Sequence, residues 1–146
     1  MVSADEVIIT SHNTAYALNR ATGEVLWSKT IGTESLIPCA AAGERVYIKS
    51  VNQLYALDRL TGETAWTYQG PGFVSMPAVA GGQIYIITRT GSSGQLRALR
   101  LADGQEIWQT DNARLANAAP VVAGGRVYVR TVDGSVLVYD QSRGKE

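Results

Sequence analysis

The sequence predicts an all-β chain of short, repeated antiparallel sheets, on three observations. An eleven-residue pattern recurs without gaps as Ala17-Leu-Asn-Arg-Ala-Thr-Gly-Glu-Val-Leu-Trp27, Ala56-Leu-Asp-Arg-Leu-Thr-Gly-Glu-Thr-Ala-Trp66 and Ala98-Leu-Arg-Leu-Ala-Asp-Gly-Gln-Glu-Ile-Trp108. A second pattern runs in step upstream of it: Pro38, Pro77 and Pro120 each precede a short apolar run, a glycine turn and an apolar triplet. No stretch carries the 3.6-residue apolar stripe of a helix.

The triplets are Val46-Tyr47-Ile48, Ile84-Tyr85-Ile86 and Val127-Tyr128-Val129, with Val7-Ile8-Ile9 in the same place in the first copy. A fourth copy of the first pattern begins at Val138 and breaks off at Glu146, before the position of its tryptophan. The repeat therefore divides one domain, 1–146, into units of approximately 1–37, 38–76, 77–119 and 120–146. Each unit reads as four strands. In the fourth copy the first is near Pro120–Ala123, the second Arg126–Thr131 and the third Val136–Tyr139, with a fourth expected after Gly144. Length differences concentrate in the turn between second and third strands: His12-Asn13, Val51-Asn52-Gln53, Gly91–Gly94 and Asp133-Gly134. Loops absorb insertions, whereas packed strands do not. The second and third strands are apolar on both faces, as expected of sheets covered on both sides.

Four-stranded sheets repeating every ~40 residues are the blades of a β-propeller. The expected fold is thus about four four-stranded antiparallel blades, the last incomplete, forming part or half of a larger ring. Units one and four show no polar capping face. Two arrangements follow: a segment of a longer propeller, or a half-ring completed to eight blades by a second copy.

Composition narrows the function. Thirteen basic residues balance thirteen acidic ones. That argues against a nucleic-acid coat or a polybasic membrane patch. One cysteine, Cys39, forbids an internal disulfide and a multi-cysteine metal site, and one histidine, His12, argues against a histidine-rich centre. No apolar run is long enough for a spanning helix, and the start, Met1–Glu6, lacks the basic and apolar regions of a secretory signal.

Within the repeat, Gly23, Gly62, Gly104 and Gly144 fall in the turn between third and fourth strands, where a left-handed backbone is expected. Thr22 and Asp103 are placed to bond back to that turn. Trp27, Trp66 and Trp108 offer large flat surfaces for burial against a neighbouring blade, each with an N–H that needs an acceptor. Ala17, Ala56 and Ala98 leave room for the ring.

The pattern Ala-x-Asp/Asn-x-x-Thr-Gly-Glu-x-x-Trp resembles the tryptophan-docking motif of the PQQ-like β-propeller repeat superfamily. The first two copies match throughout; the third has Arg100, Asp103 and Gln105 at motif positions, and the fourth has Val138 and Arg143. In character the chain is most similar to the non-enzymatic, BamB-like branch, which serves outer-membrane protein assembly. That resemblance implies a protein-binding scaffold, no enzymatic activity, no cofactor, and an extracytoplasmic location in a bacterium. The superfamily also contains quinoprotein dehydrogenases, which hold pyrroloquinoline quinone and calcium in the central funnel. A dehydrogenase fragment is the alternative, as is a truncated or engineered repeat array without an activity of its own. The adjacent cysteine pair of many such enzymes is missing here, and all three tryptophans occupy the repeat slot.

No catalytic, cofactor-binding or metal-binding residue is assigned. His12 is expected as an exposed turn residue and Cys39 as a buried structural thiol. Lys49, Arg89 and Arg130 recur near the end of the second strand, either as a basic ring favouring an acidic partner or as solvated strand-end charges. The blade-to-blade connections Ser28–Ile37, Thr67–Met76 and Gln109–Ala119 vary while the blades stay alike. They are the expected partner-binding loops, with Ile31, Leu36, Ile37, Phe73, Val74, Arg114 and Leu115 as candidate contacts.

Overall fold

The structure, a computed structural model, describes residues 5–146. Met1–Ala4, on which much of the N-terminal expectation rests, lie outside the described residues. The chain divides into two compact units, Met1–Gln69 and Gly70–Glu146. Among the described residues every regular element is a strand, and no helix is long and apolar enough to cross a membrane.

Unit 1 holds two antiparallel sheets. The first is β1 (Glu6–Ser11), β2 (Thr14–Asn19) and β3 (Val25–Thr30), paired in that order. The second is β4 (Ile37–Ala42), β5 (Arg45–Lys49), β6 (Gln53–Asp58) and β7 (Thr64–Gln69), again in chain order. The first sheet thus has three strands among the described residues rather than four, because its β1 already corresponds to the second strand of the repeat. Their shared core joins Ile8, Ala15, Ala17 and Trp27 to Leu36, Val46, Ile48, Tyr55 and Leu57. Alternate residues of β1 and β2 point into it, as the period of two requires. In β5 and β6 the residues between the strand ends are buried on both faces, the pattern expected of doubly covered strands.

Unit 2 holds the third and fourth sheets. In the third, β8 (Phe73–Val74) and β9 (Ala78–Ala80) both pair with β10 (Gln83–Thr90), followed by β11 (Ser93–Arg100) and β12 (Glu106–Asp111). The innermost strand is split because Pro77 has no N–H to give to a ladder. At the break, the Ser75 hydroxyl accepts the Ile87 N–H at 2.9 Å. The Ser75 N–H donates to the Ile87 carbonyl at 2.8 Å. The fourth sheet is β13 (Val121–Ala123), β14 (Arg126–Arg130) and β15 (Val136–Asp140). Tyr85, Ile87, Leu96 and Ala98 pack there with Leu115, Val127, Val129 and Tyr139. The fourth sheet is not covered on both faces: β14 alternates, and Val121 and Val136 are exposed.

Each tryptophan faces the alanine of its own repeat across the ladder: Ala17 opposite Trp27, Ala56 opposite Trp66, Ala98 opposite Trp108. The register slips by one residue immediately after each alanine. Such a bulge bends the outer strand and re-aims its side chains. On the other side of the alanine stands Tyr47 or Tyr85, whose ring lies 5.9 Å from Trp66 or 6.0 Å from Trp108 at a tilt near 45°. These are favourable aromatic geometries.

The β1–β2 hairpin turns through His12-Asn13, with His12 at φ +51. The β10–β11 hairpin turns through Gly91-Ser92, with Gly91 at φ +58 in the equivalent place. Histidine therefore occupies a backbone state for which the second hairpin uses glycine. His12→Gly is expected to change stability by less than about 1 kcal/mol. The released left-handed strain of ~1–2 kcal/mol is offset by glycine's entropy cost of ~0.5–1 kcal/mol and by loss of the side-chain hydrogen bond to Ser35. The midpoint of urea unfolding checks this.

Candidate functional site

The four repeat turns share one hydrogen-bond pattern. Asn19 N–H donates to the Glu24 carbonyl at 2.7 Å and Gly23 N–H to the Asn19 carbonyl at 2.8 Å. The same pairs recur at Asp58–Glu63–Gly62, Arg100–Gln105–Gly104 and Asp140–Lys145–Gly144. Asn19, Asp58 and Asp140 also accept two turn N–H groups each through a side-chain oxygen. Arg100 cannot accept, and it pairs instead with Asp103 at 3.1 Å. Thr22, Thr61 and Asp103 each accept the N–H two residues on. The four glycines have φ between +65 and +77.

The turns at Gly62 and Gly144 each receive the tryptophan of the preceding sheet of the same unit. Within unit 1 the Trp27 ring lies over Gly62, so close that a Cβ there would meet Cδ2 at 2.6 Å. The Trp27 indole N–H donates to the Arg59 carbonyl of the same turn at 2.8 Å. Within unit 2 the Trp108 ring lies over Gly144 in the same way, and its N–H donates to Gln141 at 3.1 Å. Arg59 also reaches the buried carboxylate of Glu6, Nε to Oε2 3.6 Å.

The connections between sheets are held onto hairpin turns rather than left loose. In unit 1, Ile31 N–H donates to Asn13 O at 2.8 Å and the Asn13 amide donates to Gly32 O at 2.7 Å. Leu36 N–H donates to His12 O at 2.8 Å, and His12 Nδ1 shares a 3.2 Å hydrogen bond with the Ser35 hydroxyl. In unit 2, Ala116 N–H donates to Arg130 O at 2.8 Å and Val132 N–H to Arg114 O at 2.7 Å. Leu115 and Thr131 form an isolated bridge. The Arg89 guanidinium donates to the Leu115 carbonyl.

This placement sorts the candidate contacts. Leu36, Val74 and Leu115 are buried and offer no surface. Ile31 packs, half-buried, on the unit 1 core. Ile37 and Phe73 are exposed, and so is Arg114, which pairs with Asp133 at 3.0 Å. The Thr131 hydroxyl, the Ser135 N–H and Arg114 hold the Asp133 carboxyl well below the usual carboxylate range. Of the three recurring cations, only Arg130 is a solvated strand-end charge. Lys49 is buried and Arg89 is half-buried on the 113–115 backbone, so neither belongs to an exposed basic ring. Sequence reasoning missed Asn13 and Asn112. Asn112 accepts the Arg114 N–H at 2.9 Å and donates to the Tyr139 hydroxyl at 3.3 Å. The available signal is an asparagine two residues before a turn N–H.

Cys39 is half-buried rather than buried, because it is the extra residue of a bulge between Pro38 and Ala40. Its thiol donates to the Ile37 carbonyl at 3.2 Å. Burial pushes the thiol up to about 11, against the opposing effects of the Lys49 charge and backbone. Burial lowers Lys49, partly offset by Cys39. Alkylation by iodoacetamide is expected to be slow at pH 8 and to rise toward a midpoint near 11; an unfolded thiol titrates near ~8.5. Because folding raises this pKa, the native state holds the proton longer, and the associated stability is lost as pH rises across that interval.

Among the described residues no three His, Cys, Asp or Glu side chains group as a metal site. The sequence profile of one family, described as outer membrane protein assembly factor BamB, matches residues 1–146. The chain belongs to this family. BamB from Moraxella catarrhalis is 20% identical over 94% of this chain and 44% of its own, with a TM-score of 0.77. The chain thus spans less than half the length of that BamB. The computationally designed protein Ika4 is 14% identical over 95% of this chain and 87% of its own, TM-score 0.79. A europium-containing methanol dehydrogenase is 12% identical over 99% and 39%, TM-score 0.81. These likenesses show the β-propeller fold. No curated protein matches the chain significantly.

Proposed function

We propose that the chain is a non-enzymatic β-propeller scaffold that binds a protein partner during outer-membrane protein assembly in the bacterial cell envelope. The observation that carries this is the construction of the connections. Residues 31–36 and 112–116 vary in sequence, yet each is fixed by backbone hydrogen bonds to hairpin turns of its own unit. Such preorganised loops lose little entropy on binding. Ile37, Phe73 and Arg114 are the proposed contacts. Within each unit, Trp27 on Gly62 and Trp108 on Gly144 serve as packing devices that dock sheet on sheet, and Ala17 and Ala98 make room for their rings. Membership of the BamB family supports the envelope location and the assembly role. Ile9, Val25 and Leu26 in the first sheet, and Val121 and Val136 in the fourth, are exposed apolar residues. A second copy of the chain is the proposed cover for these faces.

Photo-crosslinking in a bacterial envelope fraction tests the reading. Crosslinks from positions 37, 73 and 114 to an outer-membrane assembly component are expected, with none from the outer turn at position 24. Equal labelling at position 24 would contradict it. Titration with pyrroloquinoline quinone and calcium is expected to give no saturable absorbance change, and light scattering is expected to give the mass of a dimer.

A further inference from the structure

Beneath the 31–34 connection of unit 1 lies a pocket of about 240 Å³. Ile31 to Glu34 close one side, the 50–53 hairpin with Tyr55 forms the other, and Gln69 completes it. We infer that this pocket between the 31–34 connection and the 50–53 hairpin binds a neutral, polyhydroxylated ligand: a single sugar ring, free or at the end of a glycan.

Three features of the lining carry this. First, it contains no lysine or arginine, and its one charged side chain is Glu34, so it suits neither phosphate nor carboxylate. Secondly, it gathers the amides of Asn52, Gln53 and Gln69 with the hydroxyls of Thr33, Ser50 and Tyr55. Amides present donors and acceptors side by side, which matches vicinal hydroxyls. Two of these amides are fixed in orientation: Tyr55 donates to Gln53 Oε1, and Gln53 Nε2 donates to Gln69 Oε1 at 2.5 Å. Thirdly, Ser50 is 2% exposed and its Oγ has no hydrogen-bond partner. A buried hydroxyl left unpaired is costly, and a ligand hydroxyl supplies the missing partner. The pocket is smaller than the ~300–1,000 Å³ of drug-sized sites, which fits one ring.

The test is an amide-resolved NMR titration of the whole chain with glucose, N-acetylglucosamine and the disaccharide N,N′-diacetylchitobiose. Saturable shifts at Gly32, Thr33, Asn52, Gln53 and Gln69 in the millimolar range are expected. Shifts with all three probes assign a free ring as sufficient; shifts with the disaccharide alone assign a glycan end. Glucose 6-phosphate is expected to bind more weakly than glucose, given Glu34. Asn52→Ala is expected to weaken binding at least fivefold. Ser50→Ala is expected to weaken binding while raising the melting temperature of the free protein, because it removes a hydroxyl that has no partner. The inference is overturned by the absence of saturable shifts with every probe, by shifts confined to other residues, or by unchanged affinity in both variants.

Discussion

Trp27→Ala is expected to destabilise unit 1 by about 3–5 kcal/mol, the range for removing a large buried aromatic side chain. Trp27 is 8% exposed, its ring covers Gly62, and its N–H donates to the Arg59 carbonyl at 2.8 Å. Truncation therefore opens a cavity between the first and second sheets and leaves a turn carbonyl without its partner. Trp27→Phe keeps an aromatic ring but loses the hydrogen bond and part of the buried indole, so a smaller loss of ~2 kcal/mol is expected. Urea unfolding followed by circular dichroism measures both, and a Trp27→Ala cost no larger than that of Trp27→Phe would contradict the docking role.

Gly62→Ala is expected to cost about 2–5 kcal/mol. Two effects combine. The residue sits at φ +76, where a Cβ costs roughly 1–2 kcal/mol. That Cβ also lands 2.6 Å from the Trp27 ring, and overpacking of this kind costs roughly 1–3 kcal/mol. Gly23 separates the two effects. It has φ +77, but nothing lies within 4 Å of its would-be Cβ. Gly23→Ala therefore carries the backbone strain alone, and its loss should be the smaller by the overpacking contribution.

Much of this architecture is legible in the residues. The expected strands at Arg126–Thr131 and Val136–Tyr139 appear as β14 and β15, each with an end differing by one residue. The glycine positions announce left-handed turns because few other residues tolerate that backbone, and the alanine–tryptophan spacing implies a cross-strand pair. What stays hidden depends on contacts between distant residues. Leu36, Val74 and Leu115 read as apolar loop residues, and composition alone does not say whether such a side chain faces partner or core. Their burial follows from hydrogen bonds that draw each connection onto a hairpin many residues away in the chain. Lys49 looks like a strand-end charge, but it is buried, opposite Ile37 in the ladder. The break around Ser75 depends on a side-chain acceptor replacing a strand bond, and no repeat pattern signals that. The pocket at Ser50 and Asn52 lies in the turn that varies most in length between copies, where alignment of the repeats carries the least information.

The most direct measurement is the double-mutant cycle of Trp27→Ala with Gly62→Ala. If the tryptophan of one sheet rests on the glycine turn of the next, removing the ring removes the clash. Gly62→Ala in the Trp27→Ala background should then cost only the ~1–2 kcal/mol of backbone strain, leaving a coupling of roughly 1–3 kcal/mol between the two sites. Losses that add to within about 0.5 kcal/mol would mean that the two residues act independently, and that sheet-on-sheet docking through this repeat does not hold the blades together.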